Sequence, residues 1–363
     1  MNYKNFTALL LQWHTNVNKR QMPWKGVKDP YKVWLSEIIL QQTRVDQGWA
    51  YYEKFLKKYP TIELLAKAKD DAVFKLWEGL GYYTRCKNLL YTARFIVKEY
   101  GGIFPDKYED ILALKGVGTY TAAAIASFCF DLPYAVVDGN VFRVLSRVYG
   151  NATPVDSNEG KKIFSELAAN VLDKEKPGLF NQGIMDFGAT VCRPALPLCT
   201  QCPLNKICSA FKKASVNVLP VKEKLMQKKT RWFTYFVFEA RGKVFVRKRI
   251  TKDIWQNLFE YYLVETAANP LWSYESINDF LKNQTGIQDF KIEQLAAAQP
   301  QKLTHQHING YFIHIILESI PQTLKGDQIQ WLGQKAVKLL PFPGFINDYQ
   351  KIKKNKPLFF KFV

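Results

Sequence analysis

The chain runs to 363 residues, which at about 150 per domain predicts two or three domains; 47% hydrophobic against 23% charged residues makes it globular, not disordered or fibrous. Its net charge of +19 asks for an anionic partner such as a nucleic acid. No apolar run reaches the roughly 18 residues of a membrane span, and the first residues lack a small-residue cleavage site, so a soluble, cytoplasmic (nucleoid-associated) protein is expected, with no membrane partner.

Up to about residue 210 the chain reads as helices joined by short turns. Asp29-Pro30 opens a long apolar-periodic stretch, Val33 to Tyr59, that stops at Pro60. A helix ending near Glu78 meets the turn Gly79-Leu80-Gly81, and another runs to Tyr100 before Gly101-Gly102. Further helices are predicted over 108–114, 120–130, 141–149, 159–172 and 178–190. Residues 211–229 are polar and Lys-rich, as a linker is. Then 233–238 and 244–246, flanking Arg241-Gly242, predict two strands about a hairpin turn. Residues 303–317 are strand-rich, 278–281 and 333–340 look helical, and the end from Lys351 is basic. The predicted fold class is α+β overall. An all-α domain fills 1–212, a basic linker 213–229, a smaller α+β domain 230–345 and a basic tail 346–363.

The positive charge is localised. Residues 1–100 carry 17 Lys/Arg against 9 Asp/Glu and residues 201–250 carry 13 against 2, whereas 101–200 is slightly acidic at 9 against 11. Such patches suit a polyphosphate that must release counterions, although a solvated, solubilising surface gives the same count.

Gly79-Leu80-Gly81-Tyr82-Tyr83-Thr84 and Gly116-Val117-Gly118-Thr119-Tyr120-Thr121 share the pattern G-[LV]-G-x-Y-T, each between two helices. Read alone, each is a tight turn. The second, preceded by Leu112-Ala113-Leu114-Lys115, resembles the helix-hairpin-helix element that grips DNA backbone through Gly116, Gly118 and a helix N-terminus.

Four of the six cysteines are crowded, Cys192, Cys199, Cys202 and Cys208, in a C-x6-C-x2-C-x5-C array; Cys86 and Cys129 read as small core residues. Four thiolates so close repel unless a cation neutralises them, which implies a metal centre. Structural zinc usually shows two short paired knuckles, so a four-iron four-sulfur cluster is preferred over zinc, in a structural role.

The hairpin, Val137-Asp138-Gly139-Asn140-Val141 and the cysteine array together resemble the endonuclease III superfamily of base-excision DNA glycosylases. Within it they resemble the MutY-type adenine DNA glycosylases. Pro23-Trp24, Trp34 to Thr43, Gly79 to Tyr83 and Asn181 to Asp186 carry the same likeness. The resemblance is dense over 20–210. It is thinner over 230–345, where it implies a Nudix-like domain for lesion recognition; no Arg-Glu…Glu-Glu cluster occurs there, so nucleotide hydrolysis is not expected.

The resemblance implies hydrolysis of the N-glycosidic bond of adenine opposite 8-oxoguanine, and opposite guanine, by a monomer bound to duplex DNA. The leaving adenine needs a proton and the sugar becomes cationic, so two carboxylates suffice. Glu37, in an apolar helix, is the candidate acid, and Asp138, just before a helix, the candidate anion. Singly, Asp138 reads as a helix cap and Glu37 as an ion-pair member. Asn140 would orient the nucleophile or water. Bifunctional members carry a lysine at the place of Tyr120, and a phenol forms no Schiff base, so strand cleavage is not expected; Tyr120 is instead expected to bond Asp138. The resemblance implies that Gln42 and Tyr82 match the wedge positions, Leu80 of the same turn contacts the DNA or base, Gln182 is the residue that pairs with the extruded adenine, and Arg20 and Trp24 lie near the pocket or backbone. Leu303-Thr304-His305 matches the family's Phe-Ser-His loop with two departures, and Lys25 stands where arginine is usual. Other readings of the same residues are an endonuclease III-like glycosylase for oxidised or mismatched pyrimidine and a non-catalytic DNA-binding protein. The basic linker offers a surface to DNA or to another repair protein.

Overall fold

The computed structural model describes residues 3–223 and 228–355. The chain divides into two compact units, Met1–Lys67 with Lys87–Leu225, and Ala68–Cys86 with Met226–Val363.

The helices of the first two hundred residues are α1 (Tyr3–Asn16), α2 (Pro30–Leu40), α3 (Val45–Lys58), α4 (Ile62–Ala66), α5 (Asp70–Trp77), α6 (Thr84–Tyr100), α7 (Tyr108–Ala113), α8 (Thr119–Phe130), α9 (Gly139–Tyr149), α10 (Asn158–Val171) and α11 (Pro177–Thr190), followed by a single turn, α12 (Ser209–Lys212). Asp29 caps α2 by accepting the N–H groups of Tyr31 and Lys32, with Pro30 at the first turn. The stretch 33–59, read as continuous from sequence, is two helices. Gln42 takes φ 56°, and no L-residue helix passes through that conformation. Gly48 then lets α3 run close to α2, since a Cβ there would meet Leu40 Cδ2 at 2.7 Å.

The first unit's core joins Phe6, Leu10 and Trp13 of α1 to Val141, Val144 and Leu145 of α9, Phe164 of α10, and Phe180, Ile184 and Phe187 of α11. Each such side chain contributes about 1.5–3 kcal/mol by leaving water. Between α7 and α8 lies the hairpin turn. Gly116 has φ 84°, and a Cβ there would meet Asn88 Cβ at 2.8 Å. The Thr92 hydroxyl donates to the Lys115 carbonyl at 2.8 Å, so α6 braces the turn.

Part of the segment 213–229, expected as a linker, packs on this unit; residues 224–227 lie outside the described residues. Leu219 is buried, its carbonyl accepts Arg147 Nε at 3.0 Å, and the Val221 carbonyl accepts the Val155 N–H at 3.0 Å.

The second unit is a mixed sheet with helices. Its strands are β1 (Lys229–Ala240), β2 (Lys243–Lys248), β3 (Phe259–Glu260), β4 (Tyr262–Thr266), β5 (Lys291–Ala297), β6 (Gln301–Lys302), β7 (Gln306–Leu317) and β8 (Ile329–Gly333). Its order is β3-β2-β1-β7-β5, with β4 on β1, β6 on β7 and β8 on β2. Arg241 (φ 49°) and Gly242 (φ 72°) make the tight β1–β2 turn, whose handedness matches strand twist. The long pairing is β1 with β7, parallel from Lys229–Gln306 to Ala240–Leu317. One sheet face buries Phe236, Phe238, Phe245 and Ile313 with Ile277 of helix α13 (Tyr274–Phe280). After a short helix α14 (Gln334–Val337), the chain closes with α15 (Gly344–Asn355).

Helix α15 corrects the sequence boundary at 345. Phe342, Phe345, Ile346 and Tyr349 are buried at i, i+3, i+4 and i+7 spacing, and Tyr349 stacks on Phe312 with centroids 4.0 Å apart. The Pro343-Gly344 and Asn347-Asp348 pairs between them and the lysines after them hide that stripe in the sequence. Of the expected basic tail 346–363, residues 356–363 lie outside the described residues. The segment Ala68–Cys86, placed with the helical domain by sequence, groups with the sheet unit. Glu78 accepts the Phe342 N–H at 2.9 Å, Lys75 donates to the Leu340 carbonyl at 3.0 Å, and Lys248 pairs with Asp71 at 2.7 Å.

The packed α15 gives a direct expectation. Ile346→Ala removes a fully buried side chain and should destabilise the second unit by about 2–4 kcal/mol, read as an earlier melting transition of the full-length chain. Lys351→Ala, at an exposed position of the same helix, should leave that transition in place.

Candidate active site

Glu37 lies one turn before the end of α2 and is 6% exposed. Burial pushes its carboxyl up to about 7; the neighbouring Asp138 charge adds to the rise and a hydrogen bond from Tyr120 opposes it.

Asp138 is the N-cap of α9. It accepts the backbone N–H of Asn140 at 2.9 Å, that of Val141 at 2.8 Å, and Asn140 Nδ2 at 2.7 Å. Burial raises its carboxyl above the ordinary value, and these three bonds and the Arg143 cation pull it back. Glu37 has one such bond against its burial, while Asp138 has three and a helix N-terminus. Of the pair, Glu37 is therefore the group that holds a proton more readily.

Tyr120 stands at the start of α8, directly after the hairpin glycine Gly118. Its hydroxyl bonds Glu37 and reaches Met185 Sδ at 3.4 Å, in place of the Asp138 bond expected from sequence. Burial, with the Glu37 and Asp138 charges, holds the phenol well above its ordinary value, so it serves as a donor. The three predicted groups thus meet at one place.

Glu37 opens on a cavity of about 460 Å³, within the range of small-molecule sites. Trp24, Lys25 and Gln182 line it too, with His14, which sequence reading did not single out. Trp24 packs edge-on against Tyr52, centroids 5.4 Å apart. Arg20 Nη1 and Lys25 Nζ pair with buried Asp186 at 3.0 and 3.1 Å. Gln42 is exposed at the α2–α3 break.

The other predicted residues gather in the second unit. Leu80 is buried and Tyr82 is 41% exposed at φ 48°. The Tyr82 hydroxyl contacts the Thr304 hydroxyl. Leu303, Thr304 and His305 form the turn between β6 and β7, closed by the Leu303 N–H on the Gln306 carbonyl at 2.7 Å. Arg85 stacks over both Tyr82 and Trp77, which steadies the turn that carries Tyr82.

Two buried residues escaped the sequence reading. Asn181 donates to Ser127 Oγ and the Tyr134 carbonyl, both at 2.8 Å, and accepts the Val136 N–H, which fixes the connecting segment that leads into Asp138. Arg143 donates to Asn140 Oδ1 at 2.8 Å and to the carbonyls of Gly188 and Cys192, both at 2.7 Å. Neither carries a local signal, because an Asn in Phe-Asn-Gln and an Arg in a helix read as surface.

Cys192, Cys199, Cys202 and Cys208 line one small cavity walled by Val148, Phe187 and Leu204. Burial, and the thiols beside one another, raise Cys199, Cys202 and Cys208 above the usual thiol range. Among the described residues no three metal-binding side chains are close enough to hold a single ion. The four thiols around one apolar space are donors of the kind that would hold an iron–sulfur cluster.

Comparison with known proteins agrees with this arrangement. Residues 35–169 match the model of the HhH-GPD superfamily base excision DNA repair protein. The chain is 35% identical to the adenine DNA glycosylase of Buchnera aphidicola subsp. Baizongia pistaciae over 96% of this chain and 97% of that one. It is 43% identical to the human adenine DNA glycosylase over 56% of this chain and 39% of that one. A thermostable thymine-DNA glycosylase superposes on 58% of the chain, and 97% of its own, with a TM-score of 0.54 and 34% identity. Endonuclease III in a non-covalent DNA complex, at 19% identity and a TM-score of 0.51, shares the fold over 59% of this chain and 98% of its own. The helical fold, the hairpin and the near full-length match agree: the chain belongs to the adenine DNA glycosylases, base-excision repair enzymes of the helix-hairpin-helix superfamily.

Proposed function

We propose that the chain is a monofunctional glycosylase that hydrolyses the N-glycosidic bond of adenine opposite 8-oxoguanine, and opposite guanine, leaving an abasic site. The observation that carries this is buried Glu37 at the wall of a cavity roomy enough for a base, with its carboxyl pushed up to about 7 and Asp138 beside it. The adenine leaves the stack and enters the cavity against Trp24, at a cost of a few kcal/mol of unstacking. Glu37 donates its proton to the leaving base. Asp138, oriented by Asn140, stabilises the cationic sugar or bonds to it. Tyr120 keeps the Glu37 carboxyl in place and offers no amine, so no Schiff base forms and the strand stays intact.

Gly116 and Gly118 offer a phosphate the turn and the N-terminus of α8. Arg20, Lys25, Gln42 and Gln182 act at the base and backbone. Leu80 and Tyr82, with Leu303, Thr304 and His305, act on the opposite lesion from a Nudix-like domain. Leu303 for an aromatic and Thr304 for a serine keep a hydroxyl while giving up a ring to stack on. The four cysteines hold a four-iron four-sulfur cluster that cross-links the loop from 192 to 208 and takes no part in the chemistry. The protein works as a monomer on duplex DNA, and its basic linker meets DNA or another repair protein.

A base-release assay on defined duplexes tests the reading. Adenine should be released opposite 8-oxoguanine and guanine, and thymine or oxidised pyrimidine should not; equal loss of a pyrimidine rejects the assignment. Iron measured on the same sample should be present, and Cys202→Ser should lower both iron content and the melting temperature.

The elevated Glu37 carboxyl sets a pH limb. Its protonated form is the active one, so single-turnover release should be full below pH 7 and fall as pH rises through about 7. Glu37→Gln should remove that limb together with about two or more orders of magnitude of rate, while duplex affinity persists. Asp138→Asn keeps the cap shape but loses the charge, and should bind duplex normally with a similar loss of rate. Near-normal turnover by either variant would refute the paired roles.

A further inference from the structure

The polar lining of the cavity is ordered from one buried carboxylate. Asp186 on α11 is fully buried and accepts four donors: Arg20 Nη1 at 3.0 Å, Lys25 Nζ at 3.1 Å, Asn18 Nδ2 at 2.8 Å and Gln182 Nε2 at 3.1 Å. A carboxylate paired with two cations only accepts, so each amide must turn its NH2 group toward it. For Gln182 this directs Oε1 away from Asp186, and that oxygen has no partner among the described residues.

Asn18 is fixed from both ends. Its Oδ1 accepts the Arg20 backbone N–H at 3.1 Å, so Nδ2 faces Asp186 and, at 3.0 Å, His14 Nδ1. A ring nitrogen facing an NH2 group is an acceptor, so His14 carries its proton on Nε2. Burial lowers the His14 imidazole below its usual value, and the Lys25 cation adds to that, outweighing Asp186; the ring is neutral. Nε2 has no partner among the described residues, and His14 lines the same cavity as Gln182.

We infer that Asp186 is the specificity-setting positioning residue of the base pocket, presenting an acceptor through Gln182 Oε1 and, by way of Asn18, a donor through His14 Nε2–H. This rests on the proposed reading of the cavity as the base pocket. Adenine complements the pattern, since its exocyclic amine donates and its ring nitrogens accept. Hypoxanthine puts an oxygen where the amine stands, so it meets Gln182 Oε1 acceptor to acceptor. Purine lacks the group altogether. The hub also accounts for Lys25: its ammonium bridges Asp186 and the Arg20 carbonyl at 3.0 Å, so it serves the network.

The test is single-turnover release of adenine, purine and hypoxanthine, each opposite 8-oxoguanine, by the full-length protein. Asp186→Asn allows the Gln182 amide to reverse, and the adenine-to-hypoxanthine rate ratio should fall about tenfold. His14→Phe keeps a flat ring without the donor and should slow adenine release about tenfold at native melting temperature. Asn18→Leu severs His14 from Asp186 while leaving the ion pairs, and should slow release as His14→Phe does; it decides the matter if Asp186→Asn fails to fold. An unchanged ratio in a folded Asp186→Asn protein overturns the inference, as does an undiminished rate in His14→Phe or Asn18→Leu. Wild-type protein that releases no adenine from any duplex overturns the base-pocket reading instead.

Discussion

The proposed chemistry depends on keeping a proton on one carboxyl group that lies beside another. Two buried carboxylates cannot both be charged at close range without strong compensation, and the chain compensates only one of them. Asp138 has the N-terminus of α9 and three donated hydrogen bonds, whereas Glu37 has a single phenol and an apolar wall. The asymmetry follows from local structure. A helix cap supplies backbone N–H groups at no packing cost, and a mid-helix side chain in an apolar core has none to use. The two proposed roles, acid and anion, thus follow from position in a helix before any substrate arrives.

Holding that pair together is a long-range task. Glu37 comes from α2, Tyr120 from the helix after the hairpin turn, and Asp138 from the start of α9. Asn181 of α11 fixes the approach to Asp138 by three bonds. Arg143 ties the α9 cap to the Cys192 carbonyl, at the first cysteine of the array. A buried guanidinium needs acceptors for its donors, and backbone carbonyls supply most of them here, so moving the cysteine loop would strip bonds from the residue that holds Asn140. Order at the four thiols and order at the carboxylate cap are linked through that one cation.

The fold class was legible in the sequence and the candidate chemical groups could be singled out there, whereas several element boundaries could not. Glu37, Tyr120 and Asp138 were readable because each sits in a short motif whose spacing is tied to a turn or a cap. The break at Gln42 was not, because a residue forced into a left-handed conformation by tertiary packing leaves no glycine to betray it. Helix α15 was hidden because Phe345, Ile346 and Tyr349 span little more than one turn and are followed at once by a Lys-rich run. Asn18 and His14 were missed for a different reason. They matter through Asp186, which follows them by more than 160 residues, and a hydrogen-bond relay of that span has no period or composition.

Glu37 and Asp186 show how the same burial yields opposite tasks. Both side chains are removed from water within one helical unit. Asp186 is met by two cations and two amides, and so organises its neighbours as a fixed acceptor. Glu37 is met by one hydroxyl, and burial pushes its carboxyl up to about 7. In the proposed mechanism, reactivity therefore goes with the carboxyl group that has the fewest donors, and selectivity with the one that has the most. A change that added a cation beside Glu37 would stabilise the folded chain's charge and silence its acid, since the proton would leave before a base was bound.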